Sequence, residues 1–164
     1  ENIANTILNM VSVRIPKYLD INPLKIQVLA PMYNGVAGID ALNDCLQELF
    51  NPFDQYKHQI QVGKRIFREG DKILQLKNRV DDNVFNGDIG ILEEICFKDN
   101  FEYLEDTLIV NYEGTYVEYK PADFYTITHA YCMSIHKSQG SEFPIVAMPI
   151  SLEYNKMLYI LHNK

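Results

Sequence analysis

Cysteine is scarce. The three thiols, Cys45, Cys96 and Cys132, are odd in number, far apart and form no C-x-x-C pair. That argues against a disulfide framework and a zinc site, and fits buried thiols in a reducing cytoplasm. Long apolar runs are lacking too. The longest are strand-sized, and no basic-then-apolar leader opens the chain, so neither a membrane span nor secretion is supported. Positive charge is also short: the formal net charge is −7, and a protein of that sign is not a general coat for a polyanion.

What is present is a globular composition, 47% hydrophobic over 164 residues, enough to bury one core or one and a half small ones. The charge is unevenly spread. Between residues 57 and 79 stand seven basic side chains (Lys57, Lys64, Arg65, Arg68, Lys72, Lys77 and Arg79) against Glu69 and Asp71, a local +5 that leaves −12 for the remainder. This reads equally as a basic face for a polyanion and as a solvated strand surface, since several of these cations alternate with Ile66, Ile73, Leu74 and Leu76.

Ile3, Ile7, Met10, Val11 and Arg14 recur with helical spacing, predicting a helix that closes at Ile15-Pro16, because proline disfavours helix in the residue before it. Ile26-Gln-Val-Leu-Ala30 reads as a buried strand closed by Pro31. A two-glycine loop, Met32 to Asp40, then leads into a helix with apolar positions Ile39, Leu42, Leu46, Leu49 and Phe50, ended by a left-handed cap at Asn51 before Pro52. A loop leaving the carboxyl end of such a strand is a candidate ligand contact, although on this stretch alone an ordinary strand-to-helix connection is the favoured reading. Arg65 to Phe67, Lys72 to Lys77, Ile89 to Phe97, Thr107 to Tyr112 and Thr115 to Tyr119 read as short strands, with turn chemistry at Asn86-Gly-Asp88 and Glu113-Gly114. Strands at this spacing predict a small barrel, inserted between two parts of one α/β domain.

The densest chemistry lies in Met133-Ser-Ile-His-Lys-Ser-Gln-Gly-Ser-Glu-Phe143. Tyr125 to Ala130 is strand-like. Tyr131, Cys132 and Ile135 then stand at helical spacing, predicting a helix over 131–138 that leaves Ser134, Lys137 and Ser138 on another face, stops at Gly140, and precedes a buried strand from Phe143 to Ile150. A lysine, a histidine and hydroxyl donors together suit phosphate oxygens without reading base edges. Glu142 suits a ribose hydroxyl or a cation. A serine nucleophile with His136 as its base is disfavoured: the glycines do not form a G-x-S-x-G elbow, and helix neighbours two apart do not face each other. A capped helix with surface polar residues is the plain alternative, against which the donor density and the Gly140, Glu142 pair weigh.

The string Ser134-Ile-His-Lys-Ser-Gln-Gly-Ser-Glu-Phe-Pro144 resembles motif V of the RecD-like superfamily 1 DNA helicases, the RecD/TraA family that includes exodeoxyribonuclease V alpha-subunit-like proteins. Gln27-Val-Leu-Ala-Pro-Met-Tyr-Asn-Gly35, continuing through Gly38-Ile-Asp-Ala-Leu-Asn43, is similar to its motif IV region. Gly70-Asp71 through Val84-Phe-Asn-Gly-Asp-Ile-Gly90 resembles its inserted barrel of the Src-homology-3 type. The matches cover nearly the whole chain in the family's order.

The resemblance implies an α/β fold: a partial RecA-like second motor domain of the P-loop NTPase type in residues 1–62 and 124–164, with the barrel inserted as residues 63–123. It implies a part of an ATP-dependent 5′-to-3′ DNA helicase or translocase of repair or recombination. Ser134, His136, Lys137, Ser138 and Gln139 would grip single-stranded DNA, helped from the barrel by Asn78, Arg79 and Asn86. Tyr33, Asn34, Gly35, Gly140 and Glu142 would face the nucleotide. Related sequences often carry a basic residue where Asn34 stands, which removes a direct charge on phosphate there. ATP and Mg2+ are the implied cofactors of the full-length protein, and single-stranded DNA and other helicase–nuclease subunits its implied partners.

Nothing in the 164 residues matches G-x-x-x-x-G-K-[ST], whose amides and lysine cradle phosphates, nor does an apolar strand end in paired acids for magnesium. The family's arginine-bearing motif VI is expected beyond Lys164. With Glu1 in place of an initiating methionine and no stop after Leu158-Tyr-Ile-Leu161, the expectation is an excised fragment that binds no cofactor, does not hydrolyse ATP alone, and self-associates through exposed edges. The competing reading is a non-enzymatic nucleic-acid- or protein-binding module built on the barrel.

Overall fold

The computed structural model describes residues 3–35, 37–99, 102–152 and 155–162. In chain order the elements are α1 (Ile3–Asn9), a π-helical segment (Met10–Arg14), α2 (Ile15–Leu19), β1 (Ile26–Ala30), α3 (Ile39–Phe50), β2 (Gln59–Val62), β3 (Arg65–Arg68), β4 (Lys72–Gln75), β5 (Ile89–Cys96), β6 (Thr107–Tyr112), β7 (Thr115–Tyr119), β8 (Ile127–His129), β9 (Cys132–Ser134), β10 (Ile145–Leu152) and β11 (Asn155–His162). They form a mixed α/β chain of two compact units. Residues 1–50 with 131–164 make the first and residues 51–130 the second. Glu1 and Lys164, on which the truncation expectation rests, lie outside the described residues.

The first unit holds a four-stranded sheet in the order β11-β10-β1-β9. β1 is buried along its whole length because it is hydrogen-bonded on both sides, parallel to β10 and to β9, which suits its four aliphatic residues, Gln27 being the one polar member. β11 closes the far side antiparallel to β10. α3 contributes Ile39, Leu42 and Leu46 to the core, and the N-terminal helical run contributes Ala4, Ile7, Val11 and Ile15. Leu49, expected on the same apolar face as these α3 positions, is exposed instead.

Helix continues past Pro16, contrary to the sequence expectation. The π-helical turn explains this. Proline lacks an N–H and its ring crowds the carbonyl four residues earlier. Widening over Met10–Arg14, where the Ile15 N–H bonds to the Met10 carbonyl, lets the chain continue as α2 until Asp20 enters the left-handed region at φ 53°.

Among the described residues, the strands of the second unit do not close into a barrel. They form an open five-stranded sheet, β7-β6-β5-β4-β8, and a separate β2–β3 hairpin. The Glu113-Gly114 turn expected between β6 and β7 is present, both residues having positive φ. Tyr125 is not in a strand. A 3-10 helix runs from Pro121 to Thr126, and the short β8 that follows pairs antiparallel with β4 in this unit, where the sequence suggested a return to the α/β pattern. Nor is Asn51 the expected left-handed cap, since it is absent from the positive-φ residues; its buried side chain donates to Asp71. Of the cysteines, Cys96 and Cys132 are buried and Cys45 is exposed. Burial pushes the Cys132 thiol up to about 12, so it stays a protonated packing group.

Two buried polar networks fix this second unit. Tyr112 and Tyr119 both donate to the Gln75 Oε1, at 3.3 and 2.5 Å, while their hydroxyls stand 2.9 Å apart. Burial raises both phenols above their usual range, keeping them neutral donors. The other network centres on Asp71, 0% exposed. Its carboxylate accepts from Asn51 Nδ2 at 2.8 Å, the Arg68 backbone N–H at 2.7 Å, and His129 Nε2 at 3.1 Å.

Candidate nucleic-acid interface

Parallel pairing decides where the polar residues of the first unit gather. Ala30 stands opposite Ser134 in the β1–β9 register, so the chain leaves the carboxyl ends of two adjacent parallel strands side by side. From β1 it enters residues 31–38, and from β9 it enters 135–144. Loops at such strand ends are where open α/β sheets bind ligands.

The expected helix over 131–138 is instead strand followed by turns. β9 forms because its peptide groups are claimed from both sides: β1 pairs on one edge, and on the other the Asn43 side chain of α3 accepts from the Cys132 N–H and donates to the Cys132 carbonyl, both at 2.8 Å. The amide acts as a one-residue substitute for a further strand. Buried Gln27 adds a donor to the Tyr131 carbonyl at 3.3 Å. Sequence reasoning missed both amides. The available signal was position: Asn43 follows Leu42 and precedes Leu46 by three, which puts a polar side chain on the buried face of α3.

Beyond β9 the chain turns tightly. The Lys137 N–H bonds to the Ser134 carbonyl at 3.1 Å and to its hydroxyl at 3.2 Å, the Ser138 N–H bonds to the Ser134 carbonyl at 3.2 Å, and the Ser138 hydroxyl donates to the Ile135 carbonyl at 2.8 Å. Ser134 is thus buried as the turn's anchor. Lys137 and Ser138 are half-buried, whereas His136, Gln139, Gly140 and Glu142 are exposed. Gly140 has φ +83°, a left-handed position that glycine adopts without strain.

The neighbouring loop exposes Tyr33, Asn34 and Gly35. Its carbonyls occupy the amides that open α3: Ile39 N–H bonds to Met32 O at 2.9 Å and Asp40 N–H to Tyr33 O at 3.4 Å. The start of α3 is therefore already capped and is not built as a phosphate cradle. The fold of this loop depends on Gly38, where a Cβ would stand 2.5 Å from the Tyr33 carbonyl oxygen and 2.6 Å from Asn34 backbone atoms. Gly38→Ala is expected to cost about 1–3 kcal/mol, read as a lowered urea midpoint.

In the second unit, the basic run is mostly turned inward. Arg68 is buried, donating to the Asn51 carbonyl and to Gln59 Oε1; Lys57 Nζ lies 2.6 Å from Asn51 Oδ1; and burial pushes the Lys72 ammonium down to about 8. Arg79 donates to Asp82 at 2.6 Å, lies 3.7 Å from Asp123, and places its guanidinium 4.8 Å from the centre of the Tyr119 ring. Lys64, Arg65 and Lys77 are the exposed cations of the run. Sequence counting could not separate these sets, because net charge carries no burial. Asn78 and Asn86 are exposed and joined, the Asn86 N–H donating to Asn78 Oδ1 at 2.9 Å. Among the described residues, no three His, Cys, Asp or Glu side chains converge as metal ligands, and no helix is long and apolar enough to cross a membrane.

A family model for the ATP-dependent RecD-like DNA helicase SH3 domain matches residues 42–112, and one for the UvrD-like helicase C-terminal domain matches residues 129–161. The chain is 32% identical over 124 residues to the ATP-dependent RecD2 DNA helicase of Deinococcus radiodurans, covering 76% of this chain and 16% of that protein. It is 26% identical over 145 residues to the RecBCD enzyme subunit RecD of Buchnera aphidicola subsp. Schizaphis graminum, covering 82% of this chain and 21% of that one. The chain thus spans about a fifth or less of the length of these relatives. In fold it resembles a chain from a structure of two coordinating Pif1 helicases at forked double-stranded DNA, with a TM-score of 0.53 at 16% identity, over 92% of this chain and 41% of that one. Together, the two family models and the two relatives make this chain similar over most of its length to the RecD-like DNA helicases.

Proposed function

We propose that the chain supplies part of the second, RecA-like motor domain of an ATP-dependent 5′-to-3′ DNA helicase of repair or recombination, gripping single-stranded DNA and forming one side of the ATP cleft. The observation that carries this is the juxtaposition of the 31–38 and 135–144 loops at the carboxyl ends of β1 and β9. In this reading the turn after Ser134 presents His136, Lys137, Ser138 and Gln139 to the phosphodiester backbone. A cation and neutral donors there give grip without sequence preference, as a translocating motor requires.

Tyr33, Asn34, Gly35, Gly140 and Glu142 are then the nucleotide-facing residues. These exposed backbone and side-chain groups fit the rim of a nucleotide site, and, with the first two amides of α3 taken by loop carbonyls, the phosphates are proposed to be held elsewhere. ATP with Mg2+ would supply the hydrolysis that drives movement in the intact protein. The 164 residues carry no phosphate-loop motif, so they are proposed to be inactive as an ATPase alone. Other helicase–nuclease subunits are proposed partners, by likeness to RecD.

Replacing Lys137 with alanine tests the grip. Fluorescence anisotropy with labelled oligo-dT across a salt series should show weaker binding at every salt concentration, with the log–log slope shallower by about 0.7. An unchanged slope would remove Lys137 from the phosphate contacts and this reading with it.

A further inference from the structure

The loop rim of the second unit carries an aromatic surface that the motor function leaves unused. Tyr125 lies in the last turn of the 3-10 helix of residues 121–126, between buried Phe124 and Thr126, yet its own side chain is 65% exposed. The ring does not stand alone, for Lys77 Nζ lies 4.2 Å from its centroid. Backbone bonds hold the two segments together: Leu76 N–H to Thr126 O at 2.8 Å, and Gly87 N–H to Gln75 O at 2.9 Å. The Asn86 N–H to Asn78 Oδ1 bond brings the next loop alongside, with Phe85 43% exposed beside it.

Tyr125, Lys77, Asn78, Asn86 and Phe85 therefore share one rim. Of the nearby carboxylates, Asp82 and Asp123 engage Arg79 and Asp88 accepts from the Phe85 N–H at 2.8 Å, while Asp81 is exposed in the same loop. An exposed aromatic by itself needs no explanation. An aromatic ring with a lysine on it and amide groups beside it has the composition of a stacking site for single-stranded nucleic acid, where the ring takes any base and the cation takes the backbone. A protein partner would call for contiguous apolar area, whereas here the two rings are separated by amides and a charge.

We propose that Tyr125 is a stacking platform for a nucleobase of single-stranded DNA, with Lys77 beside it as the phosphate cation. The proposal rests on the nucleic-acid reading above and adds a base contact on the second unit. Because the sequence contains no tryptophan, the Tyr125→Trp variant of the chain carries a single indole reporter. Its emission should be quenched on titration with oligo-dT but not with an abasic oligonucleotide of the same length. Tyr125→Ala should weaken oligo-dT binding by about tenfold, while Tyr125→Phe retains it.

Unchanged emission while anisotropy reports bound oligo-dT overturns the platform and leaves the Lys137 grip standing. Equal quenching by the abasic strand or by poly-glutamate overturns base recognition in favour of a charge or protein contact. Failure of oligo-dT to bind at all removes both readings.

Discussion

Asn43→Ala is expected to destabilise the chain by about 2–5 kcal/mol, the cost of leaving the N–H and the carbonyl of Cys132 without partners in a buried edge strand. The small gain in helix propensity from alanine in α3, well under 1 kcal/mol, does not offset this. Urea denaturation followed by far-ultraviolet circular dichroism measures the loss as a lowered midpoint at unchanged slope. The isosteric Asn43→Asp separates the two bonds: it can still accept from the Cys132 N–H but, ionised, cannot donate to the carbonyl. It should be destabilising at neutral pH and recover in part as the acid is protonated. A loss below about 1 kcal/mol for Asn43→Ala would mean that β9 is held by β1 alone.

Asp71→Ala should cost about 3–5 kcal/mol, because it strips a buried carboxylate from Asn51, the Arg68 N–H and His129 together. The same site predicts acid sensitivity. Burial pushes the Asp71 carboxyl up, but the hydrogen bond and charge of His129, with the bonds from Asn51 and Arg68, outweigh it and leave the group below its ordinary 3.8. A folded-state value below the unfolded one means that the carboxylate's contribution is complete above the unfolded value and is lost as pH falls through the folded one. Stability of the native sequence should therefore decline on the acid side of about pH 4, and Asp71→Asn, which does not titrate, should show a flatter decline. Parallel acid limbs for the two proteins would place the sensitivity in other carboxylates.

The parts of the fold that sequence exposes most clearly are those whose pattern is local. β1 was legible as a short β-branched and aliphatic run, and the β6–β7 hairpin from its Glu113-Gly114 turn. The errors fall where distant residues decide. Tyr131, Cys132 and Ile135 stand at helical spacing, yet a side chain 89 residues earlier turns the segment into a strand. Tyr125 to Ala130 divides into 3-10 helix and strand because β4 captures only the last part. The basic run between 57 and 79 looked uniform, and only packing distinguishes buried Arg68 from exposed Lys64. The residues of the candidate site were nameable from motif V, since that string is contiguous. Its geometry was not, because it depends on β9 lying beside a strand more than a hundred residues away in the chain.

Asp71 also bears on the order in which the chain folds. It ties Asn51, where the second unit begins, to His129, near its end, through one carboxylate. To pair β1 with β9, the first unit must close a loop of about a hundred residues, a search whose entropic cost rises with the logarithm of the loop length and which slows folding. Once the second unit has folded with its ends fastened, that loop is reduced to a few effective links. The expected sequence of events is therefore second unit first, with refolding of the β1–β9 pair slowed in Asp71→Ala more than overall stability alone would require.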